Sequence, residues 1–185
     1  MKALSFPLVR HMAAAALVGA ALAGCATAPA PESSQRELVV AITASHELIT
    51  FHAGQPDRIL ERRPVTGLPT GERLVGIDFR VARGVLYALS QAGRLYTLDI
   101  PTGALRPVGP APAVLGLRGT AFGFDFNPAA DRIRVVSNTG QNLRLHPDTG
   151  AAVDGDLAVE GVQPDPSLRY AWADVNARRK PDIAG

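Results

Sequence analysis

The residues from Gly76 to Ala104 and from Gly123 to Ala151 are two copies of one pattern, and no other property of the chain restricts its fold as much. Set without a gap at an offset of 47, they are identical at 10 of 29 positions, among them Gly76/Gly123, Asp78/Asp125, Phe79/Phe126, Ser90/Ser137, Gly93/Gly140 and Gly103/Gly150. Run backward, the offset sets Thr43 under Ser90 and His46 under Gly93 and Gly140. Run forward by about 49, it sets Asp174-Val175-Asn176 under Asp125-Phe126-Asn127. A period in the forties with several short strands per unit is that of β-propeller blades, which bury their faces only by stacking on neighbours.

Within each unit the local chemistry is that of strands and turns. Leu38-Val39-Val40-Ala41-Ile42, Gly84 to Leu89, Arg94 to Leu98 and Arg132 to Val136 are short runs rich in β-branched and aromatic residues. Gly, Pro, Asn and Asp separate them, and after Cys25 no segment keeps a helical period, so the fold class is all-β. Arg132-Ile133-Arg134-Val135 alternates and should have one wet face. Val85 to Leu89 is almost wholly apolar and should be central. Asp99-Ile100-Pro101-Thr102-Gly103 and His146-Pro147-Asp148-Thr149-Gly150 read as turns, each closing on a Gly suited to positive φ.

The start of the chain reads as an address. Lys2, Arg10 and His11 precede an apolar run from Met12 to Leu22, and the run ends in Leu22-Ala23-Gly24-Cys25. The run falls well short of the roughly 20 residues that a spanning helix needs, and its basic flank suits a signal peptide. Leu-Ala-Gly-Cys resembles the lipobox of bacterial lipoproteins, which implies cleavage before Cys25 and lipidation of its thiol. Ala26, where Asp would retain the protein at the inner membrane, implies sorting to the outer membrane. The expected organisation is a signal peptide over 1–24, a lipidated Cys and Pro/Ser/Ala-rich tether over 25–37, and a β-propeller-like domain over 38–185.

Removal of Lys2 and Arg10 leaves 17 of the 19 basic side chains against 17 acidic ones. A mature chain without net charge or a basic block has no electrostatic footprint for nucleic acid. The single Cys excludes an internal disulfide framework and a Cys-based metal centre.

Leu74-Val75-Gly76-Ile77-Asp78-Phe79-Arg80, Gly119 to Pro128, Asp131 to Ser137 and Gly140-Gln141-Asn142-Leu143-Arg144-Leu145 together resemble a bacterial family of domains of unknown function, numbered 4394. The resemblance runs over nearly all of Leu38 to Gly185. It implies an architecture and a secreted setting, with no catalytic residues to carry over. Similar sequences continue past the Asp174-Val175-Asn176 unit, and the length here provides little more than three units where propellers have four to eight. The expectation is therefore an incomplete ring, extended by further residues or closed by self-association.

The residues able to carry chemistry are the recurrent ones. Asp78, Asp125 and Asp174 recur at one place in the unit, with Asn127 and Asn176 two residues on, on the same strand face. Around a propeller axis such carboxylate and amide oxygens form a set that suits a hard cation such as Ca²⁺. Against this, repetition is also what a structural role produces, each Asp fixing nearby backbone N–H groups. Arg80 stands where the first copy would need its amide. His46, His52 and His146 lack metal-ligand spacing and read as loop residues. Ser137, His146 and Asp148 lack a nucleophile elbow. Gly119 to Gly123 has no phosphate-cradling pattern, so no cofactor is expected. Tyr170 and Trp172 read as alternate residues of one strand that pack in the core or between blades, with a ligand stacked on an exposed Trp as the alternative, and Arg178-Arg179-Lys180 reads as a solvated loop. The apolar, Pro-rich connection from Pro110 to Leu117 suits either a binding loop or the cover of a sheet edge.

These features favour a membrane-tethered, non-enzymatic binding or assembly protein, with a protein or small molecule as ligand. The alternative is a metal-dependent hydrolase or lactonase-like enzyme using the channel Asp and Asn oxygens.

Overall fold

A computed structural model describes residues 36–109 and 114–181. The leader, Cys25, nearly all of the tether and residues 110–113 of the long connection lie outside the described residues.

Ten strands follow one another: β1 (Leu38–Ile42), β2 (Glu47–His52), β3 (Gln55–Pro64), β4 (Leu74–Arg80), β5 (Val85–Ser90), β6 (Leu95–Leu98), β7 (Leu105–Pro107), β8 (Phe122–Asn127), β9 (Arg132–Ser137) and β10 (Asn142–Leu145). They form three antiparallel meanders, β1-β2-β3, β4-β5-β6-β7 and β8-β9-β10. One short 3-10 turn, Val81–Arg83, is the sole helical element among the described residues. No helix there is long and apolar enough to cross a membrane, which says nothing of membrane β-barrels.

Part of the repeat in sequence recurs in space, in one hairpin and one turn. β1, β5 and β9 are equivalent, as are β2, β6 and β10, and the hairpin joining each pair has one geometry. Thr43, Ser90 and Ser137 open the three hairpins, and their carbonyls accept the N–H groups of His46, Gly93 and Gly140 at 3.0, 2.9 and 2.9 Å. Those three residues share a left-handed backbone, with φ of 59°, 79° and 84°. The turns at Gly103 and Gly150 also repeat, each Gly N–H reaching the carbonyl four residues back, at 2.7 and 2.8 Å.

The middle meander is covered on both faces, which explains the nearly unbroken apolar run of β5. Leu86 and Ala88 point with Tyr96 and Leu98 toward Leu48 and the half-buried Val40 and Ile42 of the first meander. Tyr87 and Leu89 point the other way, into a cluster with Phe126, Ile133, Val135, Leu143 and Leu145 of the third. Tyr87 and Phe126 meet edge to face, ring centroids 5.1 Å apart. Each fully buried Leu or Ile contributes about 2 kcal/mol. As expected, β9 has one wet face: Ile133, Val135 and Ser137 are buried, while Arg132, Arg134 and Val136 are half-buried.

The first strands of the second and third meanders, β4 and β8, lie against each other. A Cβ on Gly76 would stand 2.4 Å from Phe124 Cβ, so this approach needs a glycine. In the first meander β1 pairs with β2 alone; no described strand holds the place that β4 and β8 take beside β5 and β9.

Two expectations need correction. Residues 171–177 form consecutive turns and not a third copy of the β4/β8 strand. Trp172 is 92% exposed rather than buried in a core, with Tyr170 half-buried. The physical reason is the same for both: a strand needs a neighbouring edge and a covering face, and this segment has neither beside it.

Candidate functional site

β4 and β8 carry Asp78 and Asp125 to different ends, and Asp174 lies outside any strand. Asp78 leaves β4 toward the third meander, and its Oδ2 accepts the backbone N–H of Phe126 in β8 at 2.7 Å. Its Oδ1 accepts the N–H of Phe79 at 2.8 Å. Both oxygens of this half-buried carboxylate are thus engaged with main chain, and one of them ties two sheets together. Asp125 occupies the same register in β8, opposite Arg134, but faces outward and is exposed.

The amides and the third Asp act locally. Asn127 Oδ1 accepts the N–H groups of Ala129 and Ala130 at 3.0 and 3.2 Å, shaping the β8–β9 turn. Asp174 Oδ1 accepts the N–H of Asn176 at 2.7 Å within the 171–177 turns. These oxygens accept main-chain N–H groups, and among the described residues no group of three His, Cys, Asp or Glu side chains is placed to hold a metal ion. Asp78 and Asp125 stand on strands in contact, β4 and β8, whereas Asp174 lies in the 171–177 turns.

The other candidates are also placed. Ser137 Oγ is 2.8 Å from Thr139 Oγ1, within its own turn. His46 and His146 sit half-buried in turns, whereas His52 ends β2 with Nδ1 3.0 Å from the Arg36 carbonyl oxygen. Arg178, Arg179 and Lys180 are exposed, as a solvated loop should be. The described part of the long connection covers an edge: Leu115 is buried and its N–H reaches the Gly93 carbonyl at 2.9 Å.

The strongest polar centre is one that sequence reasoning passed over. Arg80, at the end of β4, is only 6% exposed. Its Nε reaches Asp131 Oδ1 at 2.8 Å, its Nη2 reaches Asp131 Oδ2 at 2.5 Å, and its Nη1 reaches Asp148 Oδ1 at 2.6 Å. Asp131 lies in the β8–β9 turn and Asp148 in the turn after β10, so one guanidinium clasps two turns of the next meander. The fork of donors fits the bidentate carboxylate that Lys could not match. Asp131 takes positive φ, 49°, at the repeat position where the preceding unit has Gly84, φ 62°; Asp tolerates this region better than most residues. Hydrogen bonding to Asp131 and then Asp148 drives the Arg80 pKa further up. Arg80 in turn holds the Asp131 carboxyl below the usual carboxylate range. The available signal was Arg80 standing where the next unit has Asn127.

A second ionic cluster covers the outward face of the third meander. Asp165, almost fully buried at its side chain, accepts from Arg144 Nε and Nη2 at 2.8 and 2.7 Å and from Arg134 Nη1 at 2.6 Å. Arg144 and Arg134 are cross-strand partners of β10 and β9. Hydrogen bonding to Arg144 is the largest cause holding the Asp165 carboxyl below its ordinary range, against the opposing effect of burial.

A search of the curated proteins finds none that matches the chain. The family model described as "Domain of unknown function (DUF4394)" matches residues 47–185, which include both copies of the repeat, the Asp78 bridge and the Arg80 clasp, and the chain belongs to that family.

Proposed function

We propose that this chain is a lipid-anchored protein of the cell envelope, attached through Cys25 at the outer membrane, whose three meanders are consecutive blades of a propeller-like arc. The arc binds or assembles with another molecule and does not catalyse a reaction. Face-to-face stacking, the shared hairpin and turn geometry of the units, and the contact of β4 with β8 support the blade reading. Leu22-Ala23-Gly24-Cys25 followed by a Pro-rich tether supports the anchor; two acyl-type signals on one residue suffice to hold a domain at a bilayer.

The observation that carries the binding reading over the enzymatic one is the engagement of Asp78. Both of its oxygens accept main-chain N–H groups, so the carboxylate fastens blade to blade. Two measurements test the proposal. Cys25→Ser should move the protein from the detergent phase to the aqueous phase; unchanged partitioning overturns the anchor. Calcium or manganese at millimolar concentration should leave the melting temperature unchanged. A metal-dependent rise that Asp125→Ala abolishes would replace this reading with the metal-enzyme one, since a site filled to a hundred times its Kd adds about 2.7 kcal/mol.

A further inference from the structure

We propose that the open edge of β1 captures residues 171–176 of a second copy of this chain as an added antiparallel strand. The edge is defined by its hydrogen bonds. Ala53 N–H reaches the Glu37 carbonyl and Thr43 N–H reaches the Glu47 carbonyl, both at 2.9 Å. Positions 37, 39, 41 and 43 therefore bond toward β2, and Leu38, Val40 and Ile42 turn their N–H and C=O groups to the side on which no described strand lies. In the second meander the equivalent residues Val85, Tyr87 and Leu89 are paired with Arg80, Asp78 and Gly76 of β4. An unpaired edge of this kind is a template for strand addition.

Beside that edge lies space of the right shape. A groove of about 250 Å³ runs between the end of β1 and β4, with Ile42 and Thr43 on one wall and Leu74, Gly76 and Ile77 on the other. It lies beside β4 on the side away from β8, where the equivalent strand of the first meander would lie. A hydrogen-bond donor there is also provisioned only locally. Phe126 N–H is held by an Asp of the preceding meander, whereas Phe79 N–H, its equivalent, is held by its own neighbour Asp78.

Residues 171–176 carry the strand that fits. Asp174-Val175-Asn176 matches Asp125-Phe126-Asn127, and the repeat register sets Ala173 opposite Ala41, Asp174 opposite Val40 and Val175 opposite Val39. In that register Asp174 faces Phe79 N–H, and Val175 extends the outward apolar row formed by Val39, Phe51 and Ile59. Val175 is 98% exposed and Trp172 92% in the single chain. The segment is held by short-range turn bonds, Asp174 N–H to Ala171 O at 2.9 Å and Ala177 N–H to Asp174 O at 3.0 Å, so unwinding it disturbs no sheet.

The donor is a second copy because the first cannot reach. Leu168 is tied to the Gly140 carbonyl of the third meander at 3.0 Å. Three residues from there span about 10 Å, whereas β1 lies two face-to-face spacings away, about 20 Å. Reciprocal exchange closes a dimer. The inference goes beyond the anchored binding reading and uses neither the lipid nor a metal, so its failure leaves that reading to its own tests.

Disulfide trapping tests it in the full chain carrying Cys25→Ser. Val39 and Val175 form a pair without mutual hydrogen bonds, the closer kind, within disulfide reach. Mixing a Val39→Cys chain with a Val175→Cys chain under mild oxidation should give the mixed dimer at least about tenfold faster than mixing Val39→Cys with Ala173→Cys. Equal rates overturn the proposal, and an intramolecular bridge in the Val39→Cys/Val175→Cys double variant overturns the second-copy donor. In a separate arm, Val175→Pro, at an exposed turn position, should convert the sedimenting dimer to monomer; unchanged sedimentation also overturns it.

Discussion

Asp78 in β4 and Phe126 in β8 are joined by a 2.7 Å hydrogen bond from the Phe126 main chain to the Asp78 carboxylate, across the boundary between two sheets. The acceptor recurs in sequence as Asp125, but the bond does not recur in the described residues, where no strand follows on the outward side of β8.

Removing that acceptor strands a main-chain donor beside a side chain that is 7% exposed. Asp78→Ala is expected to lower unfolding stability by about 2 kcal/mol, the cost of a buried unpaired N–H. Asp78→Asn, which keeps an acceptor oxygen, should recover about half. Urea unfolding followed by circular dichroism checks both values.

Arg80→Met keeps the buried volume and deletes the clasp on Asp131 and Asp148. The expected loss is about 2 kcal/mol near neutral pH. Asp131 has a folded pKa below its unfolded value, so its contribution is present above the unfolded carboxylate range and fades as pH falls through the folded pKa. The difference between parent and variant should therefore shrink below about pH 4. A difference independent of pH would show that Arg80 acts through packing alone.

Gly93, Gly140 and His46 share one backbone conformation but not one environment. A Cβ on Gly93 would stand 2.1 Å from the Leu115 carbonyl oxygen, while one on Gly140 meets only Ser167 Cβ at 3.9 Å. Gly140→Ala should cost about 1 kcal/mol of backbone strain, Gly93→Ala distinctly more, and His46→Gly should be neutral or slightly stabilising. Thermal melting of the three variants gives the order.

Asp165→Asn should loosen the loop that covers the third meander without unfolding the sheets. Since Arg144 and Arg134 depress the Asp165 pKa, its contribution too is present at neutral pH and lost on acidification. The expected readout is faster amide exchange at Asn142 and Arg144 in the variant at pH 7, with the parent approaching it as pH falls below about 4. Unchanged exchange at pH 7 would show that the ion pairs are incidental.

Much of the sheet layout could be read from residues near one another in the chain. Strand chemistry and alternation marked β1, β5, β6 and β9. The period of 47 placed His46 in a turn with Gly93 and Gly140, because a hairpin is decided by neighbouring residues and by which of them tolerates positive φ. The same local logic failed at residues 171–177, where Asp174-Val175-Asn176 repeats the motif without forming a strand. Propensity there has no partner edge to act upon.

The sequence by itself determined the all-β class, the repeated hairpins, the two-sided burial of β5 and the family, since periodicity and turn chemistry are short-range properties written in adjacent residues. Only the tertiary structure decided that Asp78 serves Phe126, that Arg80 anchors two turns of the next meander, and that among the described residues β1 has a strand on one edge alone. Those relations join residues 48 to 68 positions apart or depend on a strand being absent beside another. Their energies arise from desolvation and geometry at the contact between sheets, which no local pattern of residues encodes.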